Sequence, residues 1–473
     1  MPPNPRDWIG EDHLANQVLD VVGELDVTAY FASYGRDGRG APAFSPLMMV
    51  SVLLYAWMCK IYSSRKISAL CRNDVGARVI SGGCFPDHRT INNFRNRHQD
   101  ALNDLFKQSV DVCRRSGMID MVAAALDGSK IAASASKRKA MSYGHMVDEE
   151  AQLEAELIGY FKRAQQEDAE DDARYGAENE GPIISDDIKR RQSRLAKIRE
   201  AKAALEAEAQ AAAEAKRQER QRKEEAAAAK GKKLPGKAPK IDPTPKETAQ
   251  RSFTDPESRI MKGGNGSYMQ AYNAQAVVDS QCQVIVACQL SQQAADAPHL
   301  PEMLNQTIAN VGAAPEKLLA DPGYFSEENV KAAEALRVVA LIPPDRERTG
   351  TPNEPAPELS PEQLEGLSPA ERMRRLVSTE AGRQAYAKRK GTVEPVFGQT
   401  KGCAGHPGFL GFLRRGFEKC TAEWQWVCAS HNILKYIRHK TADPGDAAPK
   451  SGSNGSKRAK VSVLQTELAY VGG

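Results

Sequence analysis

Apolar residues recur at helical spacing through the first quarter of the chain. Leu47, Val50, Leu53, Leu54 and Trp57 fall on one face. The surrounding apolar run, Pro46 to Cys59, ends at Lys60. It is too short to span a bilayer, so it predicts a buried helix and no membrane partner. Ile67, Leu70, Val75, Val79 and Ile80 continue this packing until Gly82-Gly83 interrupts it. In Phe85 to His98, Pro86 and Asp87 suit a helix start. Ile91 and Phe94 would face a core, leaving Arg89, Asn93, Arg95 and Arg97 outside as candidate contacts to a nucleic-acid duplex. Residues 12–115 thus read as a helical domain of that kind.

The period then changes. Met118 to Leu126 reads as a buried strand ended by Asp127-Gly128, with Lys130 to Ala133 opening its partner. Residues 116–146 would be the first part of an α/β core. From Asp148 to Lys230 the chain is rich in Ala, Glu, Lys, Arg and Gln. High helix propensity predicts a charged antiparallel hairpin, broken at Gly176 to Asp187, or a single exposed helix. A proline- and lysine-rich linker closes this insertion, which spans residues 147–250.

Residues 251–440 resume the core. Ser267 to Val278 and Cys282 to Leu290 flank a short break and predict a hairpin. Asp296 to Ile308 predicts a helix, in which Asp296 could help order a site but reads more simply as a solvated residue. Leu318 to Asp321 ends a strand, Pro322-Gly323 turns, Ser326 caps a helix, and Leu336 to Ile342 returns as a strand. That order is a parallel strand–helix–strand unit. A surface loop over 351–370 precedes helices through Tyr386, Glu394 and Leu434. Residues 441–473 are expected to form a flexible basic tail.

Composition changes this picture little. The 473 residues are 41% hydrophobic and 6% aromatic, with a net charge of +4. That balance neither demands nor excludes a nucleic-acid partner, because local clusters carry the information. Nine scattered cysteines show no zinc-like spacing and read as reduced, structural thiols. The start of the chain has no apolar segment of signal type. A cytoplasmic location is expected.

Candidate chemistry lies in three acids. Asp127 and Asp321 each follow a short apolar run, and Glu394 sits in the basic stretch Tyr386 to Lys401. Ligands at strand ends gather at one sheet edge however far apart they lie in sequence. Two magnesium ions about 4 Å apart, held by such oxygens, can activate a nucleophile and stabilise both oxygens of a phosphate displacement. Pro395 suits the first turn of a helix, with Phe397 and Lys401 on the face of Glu394. Lys401 and Arg389 could then reach phosphate, Arg389 with a rigid fork of donors. Near the end, Arg414 and Arg415 are further DNA candidates, while Trp424 and Trp426 read as core anchors.

Asp127-Gly128-Ser129, Ala320-Asp321-Pro322-Gly323-Tyr324, and Tyr386 to Arg389 with Val393 to Gly398 and Lys401 together resemble the catalytic segments of bacterial insertion-sequence transposases of the DDE type. Phe85 to His98 resembles that family's basic segment before the core. The resemblance implies an α/β fold: a ribonuclease-H-like mixed sheet core, with an N-terminal helical DNA-binding domain and a long charged helical insertion. It implies Asp127, Asp321 and Glu394 as catalytic and metal-binding residues, Mg2+ as cofactor with Mn2+ as a possible substitute, and Tyr386, Arg389 and Lys401 as auxiliary DNA contacts. The implied partners are double-stranded DNA with terminal inverted repeats, target DNA, and a second copy of the chain in a homodimer on DNA, associated with the nucleoid. The implied activity is metal-dependent phosphodiester hydrolysis and strand transfer. Alternatives are a metal-dependent nuclease without strand transfer and a catalytically inactive DNA-binding relative. Four residues separate Arg389 from Glu394 where the family pattern has three, so Lys388 or Lys390 could share the phosphate contact. The long gap precedes Asp321, which follows Asp127 by 194 positions, whereas Glu394 follows Asp321 by 73.

Overall fold

A computed structural model describes residues 5–32, 43–136, 139–175, 185–229, 240–264, 266–345, 366–402 and 408–441, with a few isolated positions between. The tail after residue 441, residues 176–184 and 232–239 of the insertion, and half of the 351–370 loop lie outside the described residues.

Among the described residues, six α-helices open the chain: α1 (Leu14–Glu24), α2 (Pro46–Met58), α3 (Ser64–Asn73), α4 (Val75–Ser81), α5 (His88–Arg97) and α6 (Gln99–Arg115). The apolar run forms α2, buried nearly all round. Asp87 caps α5 by accepting the Thr90 N–H at 2.7 Å. Ile91 and Phe94 are buried as the periodicity predicts, but so is Arg95. Positions 91, 94, 95 and 98 form one helical stripe, and Arg95 falls on it. Its guanidinium pairs with buried Glu423 at 2.9 Å. The expectation that Arg95 faces outward is therefore corrected.

The core sheet contains β1 (Ala123–Ala132), β4 (Arg259–Lys262), β5 (Tyr268–Asp279), β6 (Ile285–Ser291), β7 (Lys317–Ala320) and β8 (Val339–Leu341); β2 (Ala140–Ser142) and β3 (Gln250–Ser252) pair separately. The main order is β6-β5-β1-β7-β8, with β4 beside the start of β5. β1 runs antiparallel to β5 and parallel to β7, and β7 runs parallel to β8. This mixed order, with three antiparallel strands continued by two parallel ones, is a ribonuclease-H-like core. The expected hairpin and parallel unit are both present. Ser326 caps the crossing helix α10 (Glu327–Ala335) by accepting the Asn329 N–H at 3.0 Å.

Strand β1 differs from expectation. It does not end at Gly128, and Lys130 to Ala133 is not its partner. β5 keeps pairing with it through Asp127↔Ala276 and Gly128↔Gln275 to Ala132↔Ala271, so one strand continues where local turn chemistry suggested a stop.

The insertion leaves after β2 as α7 (Tyr143–Tyr175) and returns as α8 (Asp186–Ala228). The two form the charged hairpin, tied by Arg199–Glu150 at 3.0 Å and Lys202–Glu150 at 2.7 Å. Met146, Leu153 and Leu157 meet Ile188, Leu195, Ile198 and Leu205 in a small core separate from the main one. By contrast, one continuous core joins the opening helices to the sheet. There α6 packs on α13 (Phe417–Thr441), and α9 (Leu300–Val311) lies on β6.

Between β8 and α13 lie α11 (Pro369–Ser378) and α12 (Glu380–Lys401). Pro395 lies inside α12, not in its first turn. Its missing N–H leaves the Gly391 carbonyl without a helical donor, and Gln283 Nε2 donates to that oxygen at 2.9 Å. Among the described residues, no helix is long and apolar enough to cross a membrane.

Candidate active site

The parallel register of β1 and β7 ends at Leu126↔Ala320. Asp127 and Asp321 are the next residues on each strand. Adjacent strands lie about 4.8 Å apart, so the two acids are neighbours at one edge of the parallel pair. Beyond that point β7 stops. Asp321 Oδ1 accepts the Gly323 N–H at 2.9 Å and caps the short turn Pro322–Tyr324.

Glycine at 128 makes room, not a turn. A methyl carbon there would stand 2.3 Å from Gln275 Nε2 and 2.8 Å from Asp296 Oδ1. Both contacts are closer than a carbon can approach, so a side chain there would displace the ends of Gln275 and Asp296.

Helix α12 packs over β1 and supplies the third acid. Arg389 is buried, while Lys388 and Lys390 are exposed. The Arg389 guanidinium reaches Asp127 Oδ2 at 3.2 Å and Glu394 Oε1 at 4.0 Å. The five-residue step between Arg389 and Glu394 therefore still brings them together. Tyr386 lies beside Arg389, its ring centre 5.9 Å from the guanidinium carbon. Two turns beyond Glu394, Lys401 Nζ donates to Ser129 Oγ on β1. Burial pushes the Lys401 ammonium pKa down, and the Asp127 charge opposes that shift.

Asp127 is the most perturbed of the three acids. Burial pushes its carboxyl up from 3.8 to about 6; Arg389 and the Gly128 N–H pull it down, and the charges of Asp321 and Asp296 raise it further. In the folded state Asp127 thus holds its proton across roughly pH 4 to 6, where the unfolded chain has released it. Stability falls as pH rises through that window and stays lower above it. Asp127→Asn cannot ionise. In chelator it should be more stable than wild type by about 2 kcal/mol near pH 7.5, with little difference near pH 4. Urea unfolding at the two pH values checks this; equal stability at pH 7.5 would contradict it.

The donor set suits a hard divalent cation. It consists of carboxylate oxygens with excess negative charge, and a guanidinium lies between two of them as a cationic stand-in. The structure brings Asp127 and Asp321 together directly. Glu394, its side chain 56% exposed, stands across Arg389. Among the described residues no three acidic, histidine or cysteine side chains already form one ligand shell.

The other expected contacts divide. Arg89, Asn93 and Arg97 lie on the exposed face of α5, while Arg95 does not. Arg414 donates to Asn96 Oδ1 at 2.7 Å, which sets the 414–415 loop beside α5. Arg415 is exposed and donates to the Ser134 carbonyl at 3.1 Å. Trp424 and Trp426 are core residues. Sequence reasoning set aside Asp296 as an ordering residue of the site in favour of a solvated helical position. It is no solvated helical residue but accepts Lys130 Nζ at 2.9 Å and Asn273 Nδ2 at 2.8 Å. No local pattern could have found it, since both donors are distant in sequence.

Residues 3–97 match the family described as a transposase domain (DUF772), and residues 240–433 match the transposase DDE domain family. No curated protein and no solved structure matches the chain. The second match contains Asp321 and Glu394 and begins after the charged hairpin, and Asp127 lies between the two matches. Two transposase matches spanning more than half of the chain, on a ribonuclease-H-like core, lead to one conclusion: the chain belongs to the DDE transposases of insertion sequences.

Proposed function

We propose that this transposase cuts DNA at the ends of its element and joins them to target DNA, with Asp127, Asp321 and Glu394 holding the divalent ions. The observation that carries this reading is the Arg389 guanidinium spanning Asp127 and Glu394, beside the strand end of Asp321. A buried cation at that point marks where carboxylates of the strands and of α12 share a positive charge. Mg2+, or Mn2+ in its place, would supply charge stabilisation and an activated nucleophile when bound.

The chain's own groups do the rest. Asp127 presents oxygens from within β1, Asp321 from the end of the adjacent β7, and Glu394 from α12. Arg389 turns from the carboxylates to grip phosphate, and Lys401 and Tyr386 fix the adjacent backbone. Arg89, Asn93 and Arg97 on α5, with Arg414 and Arg415, hold the duplex carrying the inverted repeat. A homodimer processes the two ends together, acting on nucleoid DNA in the cytoplasm.

A nuclease without strand transfer would use the same carboxylates. The test is a labelled duplex covering the terminal repeat that flanks the gene, incubated with target plasmid and Mg2+. Transposition gives cut ends and joined products. Cut ends alone would leave the nuclease reading in its place, and neither product would support an inactive relative.

A further inference from the structure

Asp296 occupies a notch made by the two glycines that follow Asp127 and Asp321. A methyl carbon at Gly128 would stand 2.8 Å from Asp296 Oδ1, and one at Gly323 would stand 3.7 Å from Asp296 Oδ2. The side chain therefore lies between the segment of Asp127 and the turn of Asp321. Its two oxygens differ. Oδ1 accepts Lys130 Nζ at 2.9 Å, Asn273 Nδ2 at 2.8 Å and Gln275 Nε2 at 2.9 Å. Oδ2 has no hydrogen-bond donor among the described residues.

The donors lie on one sheet face. Gly128 pairs with Gln275 and Lys130 with Asn273 across the β1–β5 ladder. Asp296, just before α9, closes over that face. Gln275 passes the restraint on: its Oε1 accepts the hydroxyl of Tyr324, a fully buried residue of the turn capped by Asp321. One carboxylate thus links the strand of Asp127 to the turn of Asp321.

We infer that Asp296 is a positioning residue of the active site, locking the Asp127 and Asp321 segments together and adding a negative charge that strengthens divalent-cation binding there. This rests on the proposed role of Asp127 and Asp321. Lys130 is the counter-ion of Asp296 and partly neutralises it.

Two substitutions separate this role from a merely structural one. Asp296→Asn keeps the shape and an acceptor oxygen but removes the charge. Lys130→Met removes the cation and leaves the Asp296 charge uncompensated. If the pair only braces the fold, both substitutions weaken the site. If the Asp296 charge serves cation binding, they act in opposite directions. The measurement is Mn2+ titration of the full chain by electron paramagnetic resonance, with thermal unfolding in chelator to report the fold.

Asp296→Asn is expected to weaken Mn2+ binding about tenfold and Lys130→Met to strengthen it about threefold, as for one screened charge at short range. Shifts of the same sign, or none in either variant, would overturn the inference. Should Asp296→Asn fail to fold, Lys130→Met decides alone: tighter binding supports the inference, and unchanged or weaker binding overturns it. Asp127→Asn is the control for the underlying site. If it leaves Mn2+ binding unchanged, the site itself is misassigned and this inference falls with it. If it weakens binding while neither Asp296→Asn nor Lys130→Met moves it, only the role of Asp296 is lost.

Discussion

Asp127→Asn, Asp321→Asn and Glu394→Gln should each lower cleavage of a terminal-repeat duplex by about a thousandfold or more, with duplex binding changed only a few-fold. Each substitution keeps side-chain shape and removes one ionised oxygen ligand. Loss of about 4 kcal/mol of charge stabilisation in the transition state corresponds to that factor. Duplex affinity rests on neutralising phosphates with basic side chains, most of which lie elsewhere. Asp127→Asn should show the largest loss, because it is the acid that meets both the neighbouring strand and α12. Single-turnover cleavage with gel-shift binding at fixed salt makes the measurement. Unchanged cleavage in any one variant would remove that residue from the site.

The second large effect concerns the joint between the opening helices and the core. Glu423→Ala should destabilise the protein by about 3–5 kcal/mol, the usual cost of leaving one partner of a buried pair uncompensated. Glu423 Oε1 takes the Arg95 guanidinium at 2.9 Å, while Oε2 accepts the N–H groups of Leu413 and Arg414 at 3.0 and 3.2 Å. Arg95 also lies 5.3 Å from the Trp57 ring centre, which ties α2 into the same cluster. Removing the carboxylate strands a buried guanidinium and two amides together. Arg95→Met combined with Glu423→Met should recover part of the loss, since replacing both charges leaves no unpaired ion. Urea unfolding of the two variants beside wild type measures this. A loss below about 1 kcal/mol in Glu423→Ala would mean that the pair is not closed to water.

These two sites also show what local pattern can and cannot reveal. The β7–α10–β8 unit was legible because every signal in it is local: an apolar run, Pro322-Gly323, and a capping serine at 326. The charged hairpin was legible from propensity, although its small leucine and isoleucine core was not. Glu394 and Lys401 could be placed on α12 by simple helical spacing. The misreadings share one cause. Gly128 looked like a strand terminator, yet it is small because Asp296 and Gln275 crowd against it. Pro395 looked like a helix start, yet the carbonyl it leaves unpaired is served by Gln283, 108 positions away along the chain. Arg95 looked like a surface contact, yet its partner lies 328 positions away. Each residue has an ordinary local meaning that a distant neighbour overrides.

Charge compensation in the site follows the same logic. Burial raises the Asp127 carboxyl, and Arg389 is the first group opposing that shift. An arginine placed this way offsets the cost of gathering acids before a divalent cation takes over, and it must release them when it turns to phosphate. The account therefore requires Asp127, Asp321 and Glu394 to converge once Arg389 withdraws. The most direct measurement is anomalous diffraction from crystals of the full chain with Mn2+ and a duplex covering the flanking terminal repeat. The account predicts Mn2+ within about 2.4 Å of oxygens of Asp127, Asp321 and Glu394, with Arg389 turned to the DNA backbone. Mn2+ bound elsewhere, or Glu394 still held across Arg389 with DNA in place, would contradict it.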